Sequence, residues 1–261
     1  MTCSETAACL FLFAHQDDEY GVFHCLRQSL QDGYEVYCAY LTDGGSQSAR
    51  RNKESTAVLK KLGVPQNNIL YPGSELNLQD GKLHSQYAQA LPWIEQWLAN
   101  RPNVHAVYVP AWEGGHPDHD TLHALAVHAV AKINARIQLM QFPLYNGYRC
   151  LGPFFRALHP LPQNGTPVTS KISLRDRIRY LRLCLCYPSQ RRAWTGLFPF
   201  VFMHYLVWGT QSLQPVSEQR LRQRPHAGAL YYERRKFSTW EEINKSLSRL
   251  ALPVPDDDMQ K

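Results

Sequence analysis

The 261-residue sequence has no low-complexity tract, no internal repeat and no C-x-x-C pair. Its seven cysteines are an odd number, so a disulfide framework is not expected and a reducing, intracellular compartment is favoured. Charged residues make up 19% and apolar residues 44%, which excludes a disordered chain and indicates a globular one. The length suits one sizeable domain or one domain with a smaller appendage.

Long hydrophobic runs are also missing. The longest apolar stretch beyond the N-terminal region, Leu197–Trp208, is too short to span a bilayer, and Pro199 and His204 interrupt it. The apolar run near the N-terminus has no basic residues before it and leads straight into charged residues, which indicates a first strand rather than a signal peptide. We therefore expect a soluble, cytoplasmic protein.

Charge is present but unevenly distributed. The formal net charge is +6, yet residues 1–150 carry 11 Lys and Arg against 14 Asp and Glu, and residues 151–261 carry 17 against 8. This asymmetry predicts an acidic site in the first part and a basic C-terminal part that meets an anionic group.

Strand and helix patterns alternate over the first 150 residues. Short apolar runs predict five strands, at residues 8–14, 34–45, 67–73, 104–112 and 135–146, and amphipathic stretches between them predict helices. This alternation predicts an α/β fold, a Rossmann-like and mostly parallel sheet with helices on both faces. Residues 1–150 would form this core, and residues 151–261 an α+β extension of the same domain that forms the outer wall of the site.

The C-terminal part does not alternate. Residues 166–190 predict an extended segment and then a helix, with Ile178, Leu181 and Leu185 on one face and Arg175, Arg179 and Arg182 on another. The arginine face is either solvated or in contact with a phosphate-bearing substrate or an acidic membrane surface.

The last part of the chain gives three further predictions. Residues 229–237 predict a strand, Ser238 and Glu241 predict a capping box, and residues 253–261 predict a frayed tail. The apolar residues at 197–208 fit neither the helical nor the strand period. They would form part of the core, a rim of the site or a subunit contact.

Two polar clusters follow predicted strands, where ligands bind in parallel sheets. The first contains His15-x-x-Asp18 and the second His116-x-x-His119. Two imidazoles and a carboxylate suit zinc, and a bound cation would offset the repulsion between Asp18 and its neighbour Asp17. The alternatives are a solvated acidic loop and chance histidine pairs among eleven histidines; Asp120 would cap a helix, and His123 and His128 would lie on a helix face.

The motif "AHQDDE" and the later "HPDHD" resemble the two principal motifs of the LmbE-like, or PIG-L, family of zinc-dependent N-acetylglucosamine deacetylases. Weaker matches are "LTDGG", "RNKE", "FPLYN" and "YPSQ", so the resemblance spans about residues 10–190. It implies a metal held by His15, Asp18 and His119, and Asp17 as the general base that activates water. It also implies that His116 stabilises the oxyanion or protonates the leaving amine, and that Asp118 holds His116 in the useful tautomer.

Two departures from the family pattern are visible. Gln16 stands where proline is common, and Gly114 and Gly115 precede His116 where some relatives have an assisting tyrosine. Arg51 is a candidate for binding substrate hydroxyls or a phosphate, or else a surface arginine paired with Glu54. Trp112 would stack on a sugar or pack in the core.

The resemblance therefore implies a zinc-dependent N-deacetylase with one Zn²⁺ per chain, although Fe²⁺ would also suit the ligands. The substrate would be an N-acetylated amino-sugar unit, of the N-acetylglucosamine type, on a small molecule, lipid or nucleotide. No nucleic acid partner is expected, peripheral contact with a membrane is compatible with the basic part, and the oligomeric state is open. The alternatives are a metal-dependent phosphohydrolase, since His119-Asp120 is also an HD pair, and a carbohydrate-binding protein without turnover.

Overall fold

A computed structural model describes residues 6–134 and 136–250. Its strands are β1 (Ala8–Phe13), β2 (Glu35–Tyr40), β3 (Ile69–Leu70), β4 (Val104–Pro110), β5 (Gln138–Phe142), β6 (Tyr145–Asn146), β7 (Arg156–Ala157), β8 (Val168–Lys171) and β9 (Thr210–Pro215). Its α-helices are α1 (Phe23–Gln31), α2 (Ser48–Leu62), α3 (Pro72–Glu75), α4 (Tyr87–Ala99), α5 (Pro117–Ile133), α6 (Leu174–Cys184), α7 (Arg191–Val207), α8 (Tyr231–Arg234) and α9 (Trp240–Leu247). The alternation predicted for the first part is confirmed.

The main sheet has seven strands in the order β3-β2-β1-β4-β5-β9-β8. The first five in this order are parallel, whereas β9 pairs antiparallel with β5, and β8 with β9. The predicted α/β fold with a mostly parallel sheet is therefore confirmed. The C-terminal part extends this same sheet by two strands.

Strand β1 lies in the centre of the sheet and is buried along its whole length. Alternate side chains point to opposite faces. Leu10 and Leu12 pack with residues of α4 and α5, and Phe11 and Phe13 pack with residues of α1, α2, α6 and α7. Helices therefore cover both faces, and the end of β1 lies deep in the molecule.

Two glycines explain how the elements near the site fit together. Gly63 ends α2 with a φ of 107°, a left-handed conformation that favours glycine. At Gly73 an added Cβ would lie 2.3 Å from the backbone carbon of Thr42, so α3 can approach the end of β2 only without a side chain there.

The C-terminal part differs from the sequence predictions in three places. Residues 229–237 contain the short helix α8 instead of a strand, and the capping box of α9 uses Thr239 and Glu242, one position later than predicted. Residues 197–208 belong largely to α7, which runs through Pro199. The tail at residues 253–261 lies outside the described residues. None of the helices that the structure describes is long and apolar enough to cross a membrane.

Candidate metal and catalytic site

The loop after β1 carries the first cluster of the site. Asp17 has a φ of 126°, a left-handed conformation that is uncommon for a residue with a side chain. The backbone N–H of His15 donates to Oδ2 of Asp18 at 2.8 Å, which fixes the two side chains relative to each other. Gln16 fastens the loop, because its amide nitrogen donates to the carbonyl of Thr42 at 3.1 Å and to Asn52 at 2.9 Å.

The second cluster lies at the start of α5 and meets the first. Nε2 of His119 lies 3.2 Å from Nδ1 of His15 and 3.1 Å from Oδ1 of Asp18. Nδ1 of His15 lies 3.5 Å from Oδ2 of Asp18. His15, Asp18 and His119 are all buried. The structure thus brings together the three residues that the sequence resemblance selects.

These separations match the chemistry of a metal donor set. Nitrogen and oxygen ligands lie about 2.0–2.2 Å from zinc, so two ligands of a tetrahedral site are about 3.4 Å apart. The two imidazole nitrogens are 3.2 Å apart, and the two different carboxylate oxygens of Asp18 lie 3.1 Å from His119 and 3.5 Å from His15. A single ion of this kind therefore fits the residues present.

The carboxylate of Asp118 orients His15, whereas His116, which the sequence resemblance implied that Asp118 would hold, is contacted by the backbone N–H of Asp118. Its Oδ2 lies 3.0 Å from Nε2 of His15 but 3.9 Å from Nδ1 of His116. A proton on Nε2 of His15 leaves the lone pair of Nδ1 facing His119 and Asp18. A carboxylate behind a ligating histidine sets its tautomer in this way. The backbone N–H groups of Gly81 and Leu83 hold Asp118 in place at 2.6 and 3.0 Å.

Two other combinations of residues could hold a metal ion, because their donor atoms all lie within 4.8 Å of one another. They are His15, His116 and His119, and His15, Asp80, His116 and Asp118. The donors outside the first set are engaged elsewhere. Nδ1 of His116 accepts from the backbone N–H of Asp118 at 3.2 Å, and Asp80 accepts from Arg51 at 2.8 Å. We therefore favour His15, Asp18 and His119 as the ligands.

Asp17 lies beside this set without belonging to it. Nε1 of Trp194 donates to its Oδ2 at 3.0 Å, and a guanidinium nitrogen of Arg51 lies 3.8 Å from its Oδ1. Burial, opposed by the charge of Arg51 and reinforced by those of Asp18 and Glu19, raises the pKa of Asp17 to about 7. The side chain, 15% exposed, is thus a half-buried proton acceptor whose orientation these contacts fix.

Arg51 is buried in the site and is not the surface residue that the alternative interpretation described. It pairs with Asp80 at 2.8 Å and donates to the backbone carbonyl of Gln16 at 3.2 Å, while Glu54 pairs with Arg50 instead. Burial alone would raise the pKa of Asp80, but the charge and hydrogen bond of His15 and the charge of Arg51 lower it well below its usual range. Asp80 therefore stays ionised at the edge of the site.

His116 is the N-cap of α5, a position that the sequence analysis gave to Asp120. Because Nδ1 accepts from the backbone, the neutral ring carries its proton on Nε2. Burial and the charge of His15 lower the pKa of His116 to about 3. Asp120 instead accepts from the backbone N–H groups of Glu113 and Gly114, at 3.2 and 3.1 Å, and so fixes the loop before the helix.

The two glycines before His116 are required by packing. Gly114 has a φ of 69°, and a Cβ there would lie 2.6 Å from a methyl carbon of Leu230. A Cβ on Gly115 would lie 2.1 Å from the carbonyl oxygen of Tyr145. No side chain, and hence no tyrosine, fits at either position in this fold.

Aromatic rings surround the second cluster. The ring of Tyr145 lies 5.6 Å from that of His119, and the half-exposed ring of Phe237 lies 5.7 Å from that of His116. Trp112 is not among them, because it is completely buried and its Nε1 donates to the carbonyl of Gln223. Its ring has no exposed face on which a sugar could stack. Of the two roles predicted for Trp112, packing in the core is therefore the one observed. His123 is also buried and contacts the carbonyl of Pro110.

Three residues of the site were not assigned from the sequence. Asp80 lies in an Asp-Gly loop that follows no predicted strand. Tyr145 lies in the quoted "FPLYN" match, which was the available signal. Trp194 comes from α7, 177 residues after Asp17, and no sequence pattern connects the two.

An α/β sheet with a His–Asp–His donor set beside a separate carboxylate defines a candidate metal-dependent hydrolase. Residues 10–130 match the family model described as PIG-L, GlcNAc-PI de-N-acetylase. The resemblance to the PIG-L (LmbE-like) family is thus confirmed by a domain match over these residues. No curated protein matches the chain.

Solved structures share the fold. A deacetylase of the teicoplanin biosynthesis pathway is 19% identical, with a TM-score of 0.59, over 81% of this chain and 100% of the other. The N,N'-diacetylchitobiose deacetylase from Pyrococcus horikoshii is 16% identical, with a TM-score of 0.59, over 85% and 88%. GalB, a 4-carboxy-2-hydroxymuconate hydratase from Pseudomonas putida KT2440, is 12% identical, with a TM-score of 0.52, over 82% and 96%. Since a hydratase has the same fold, the fold alone does not define the reaction.

Proposed function

We propose that the chain is a metal-dependent hydrolase that removes the N-acetyl group from an amino-sugar unit of a conjugate. The observation that carries this proposal is the half-buried carboxylate of Asp17, held by Trp194 beside the donor set of His15, Asp18 and His119. A protein that only bound a metal or a sugar would not need a second, half-buried carboxylate held by two donors. The matched family model and the deacetylases with this fold support the choice of substrate.

His15, Asp18 and His119 would hold one divalent ion, with zinc as the first candidate and Fe²⁺ as the second. When bound, such an ion polarises the amide carbonyl and lowers the pKa of a water molecule. Asp118 keeps the lone pair of His15 directed at this position through its contact with Nε2.

Asp17 takes the proton from the attacking water, and this proton is then available for the leaving amine. Trp194 and Arg51 hold the carboxylate in one orientation, so little reorganisation is needed during the reaction. His116 presents the N–H of Nε2, which would donate to the amide oxygen as negative charge develops there.

Arg51 and Asp80 would bind sugar hydroxyls at the edge of the site, because Asp80 is the partly exposed member of their ion pair. Residues 151–261 would form the outer wall. The contacts of Trp194 with Asp17 and of Phe237 with His116 support this role for the C-terminal part.

The test is to assay the purified full-length chain on N-acetylglucosamine, N,N'-diacetylchitobiose and a nucleotide-linked N-acetylglucosamine. Metals are first removed with a chelator, and Zn²⁺ or Fe²⁺ is then added back. We expect acetate and free amine to appear in equal amounts only with metal present. Release of phosphate from a phosphodiester, without amine release, would favour the phosphohydrolase. Sugar binding without turnover by the metal-loaded chain would favour the carbohydrate-binding alternative.

A further inference from the structure

Helix α6 exposes an apolar stripe instead of burying it. Leu174, Ile178 and Leu185 are all exposed, Leu185 to 66%, although their spacing places them on one side of the helix. The residues that pack into the core are Tyr180, Leu183 and Cys184. Of the face that the sequence marks as apolar, Ile178 and Leu185 are therefore directed outwards, whereas Leu181 is half-buried against the core.

A basic stripe runs beside the apolar one. Arg175 and Arg182 are exposed and Arg179 is half-buried, and the three lie on the side of α6 adjacent to Ile178. Together with Lys61 they line a groove of 590 Å³, whose other lining residues are Asp176, Ile178, Leu183 and Cys186. Four basic residues and one acidic residue, with apolar side chains among them, suit an anionic group attached to an apolar chain.

Helix α7 exposes a second apolar stripe next to α6. Phe202, Met203, Leu206 and Val207 are exposed, Leu206 to 61%, and Trp208 follows directly. The two helices pack together, since Arg177 of α6 donates to the carbonyl of Tyr205 of α7 at 3.2 Å. The exposed sides of α6 and α7, which we call the docking face, therefore form neighbouring parts of the surface.

Charge distinguishes between possible occupants of the docking face. Residues 174–207 contain six arginines and one acidic residue, Asp176, which pairs with Arg27 of α1. Two copies of the chain meeting through this face would oppose arginine to arginine, and like charges across an interface disfavour it. An anionic bilayer surface offers phosphates to the arginines and acyl chains to the apolar side chains.

We propose that the docking face binds the surface of an anionic lipid bilayer, with the apolar residues of α6 and α7 inserted at the headgroup level. This property is independent of the proposed deacetylation. Helix α7 also contributes the buried Trp194, which contacts Asp17, so one helix takes part in both the docking face and the candidate site.

The test is flotation of the full-length chain with vesicles of phosphatidylcholine alone and of phosphatidylcholine with about 30 mol% phosphatidylglycerol. We expect flotation only with the anionic vesicles, and less of it in about 1 M salt, where the screening length falls to about 3 Å. Replacing Arg175, Arg179 and Arg182 by glutamine should weaken binding about 100-fold, since each basic residue near such a surface contributes about fivefold.

Two further variants separate the docking face from net charge and from packing. The control triple Lys132→Gln, Lys245→Gln and Arg249→Gln removes three exposed charges from α5, from α9 and from the turn after α9, and should keep most of the binding. The pair Met203→Gln and Leu206→Gln keeps every charge and should weaken binding at least tenfold, with an unchanged thermal midpoint.

Three results would overturn the proposal. One is the absence of flotation with anionic vesicles. Another is equal weakening by the control triple, which would indicate net charge alone. The third is a concentration-dependent dimer that the Met203→Gln and Leu206→Gln pair abolishes, because a second copy would then cover the docking face.

Discussion

Replacing Asp17 by asparagine tests the central element of the proposed mechanism. The substitution keeps the shape of the side chain and removes its ability to accept a proton. A general base contributes about 10²–10⁴-fold to the rate. At about 1.4 kcal/mol for each factor of ten, this corresponds to about 2.8–5.6 kcal/mol of transition-state stabilisation. We therefore expect kcat to fall by at least 100-fold.

The structure also predicts how the variant tolerates the change. Both carboxylate oxygens of Asp17 face donors, Nε1 of Trp194 on one side and the guanidinium of Arg51 on the other. An amide must direct its own N–H₂ at one of them, and losing a hydrogen bond to a charged group costs about 1.5–3 kcal/mol. Removal of a half-buried charge offsets part of this cost. Asparagine also tolerates the positive φ at this position.

The assay compares amine release, metal content and thermal unfolding of the wild type, Asp17→Asn and the surface control Asp32→Asn. We expect the control to match the wild type, and Asp17→Asn to stay folded and keep its metal while losing turnover. Near-normal turnover by a metal-loaded Asp17→Asn variant would refute the assignment of the base. Loss of the metal together with activity would instead mean that Asp17 belongs to the ligand set.

Three further predictions follow from the same geometry. Trp194→Phe removes the hydrogen bond to Asp17 but keeps an aromatic ring beside Tyr187. The value of kcat should therefore fall about 10–100-fold with little change in KM. An unchanged kcat would count against the role of this bond. Chelation should abolish activity, and titration with Zn²⁺ should restore it at one ion per chain; activity that survives complete removal of metal would contradict the donor set. Gly73→Ala should lower the free energy of unfolding, measured by denaturant titration, by about 1–3 kcal/mol or more. Gly196→Ala should raise it by about 0.5–1 kcal/mol, because a Cβ there meets nothing within 4 Å. Equal effects of the two substitutions would refute the packing argument.

The sequence predicts the core of the fold and the core of the site because both depend on local order. The apolar run of β1 is followed directly by the polar residues 15–19. In the same way, His116 directly precedes Pro117, the first residue of α5. Parallel strands place their carboxyl ends at one edge, which brings His15 and His119 together across 104 positions.

Residues that reach the site from elsewhere could not be predicted in this way. Trp194 depends on where α7 docks, and Asp80 on the path of a loop without periodicity. Trp112 is the opposite case, a residue predicted near the site that lies elsewhere. It follows β4 in the sequence, but its side chain is buried in the core. For α6, the spacing of Ile178 and Leu185 correctly predicts a shared side of the helix, but spacing alone does not reveal whether protein covers that side.

The position of β9 in the sheet has a consequence for how the chain is made. Strand β5 ends at Phe142, and its neighbour β9 begins at Thr210, so residues 143–209 must be synthesised before the edge of β5 is paired. At about 5–20 residues per second, this edge stays open for several seconds on the ribosome. Open strand edges recruit other strands. The chain therefore carries an aggregation-prone open edge late in translation, and a chain truncated between β5 and β9 would keep that edge permanently.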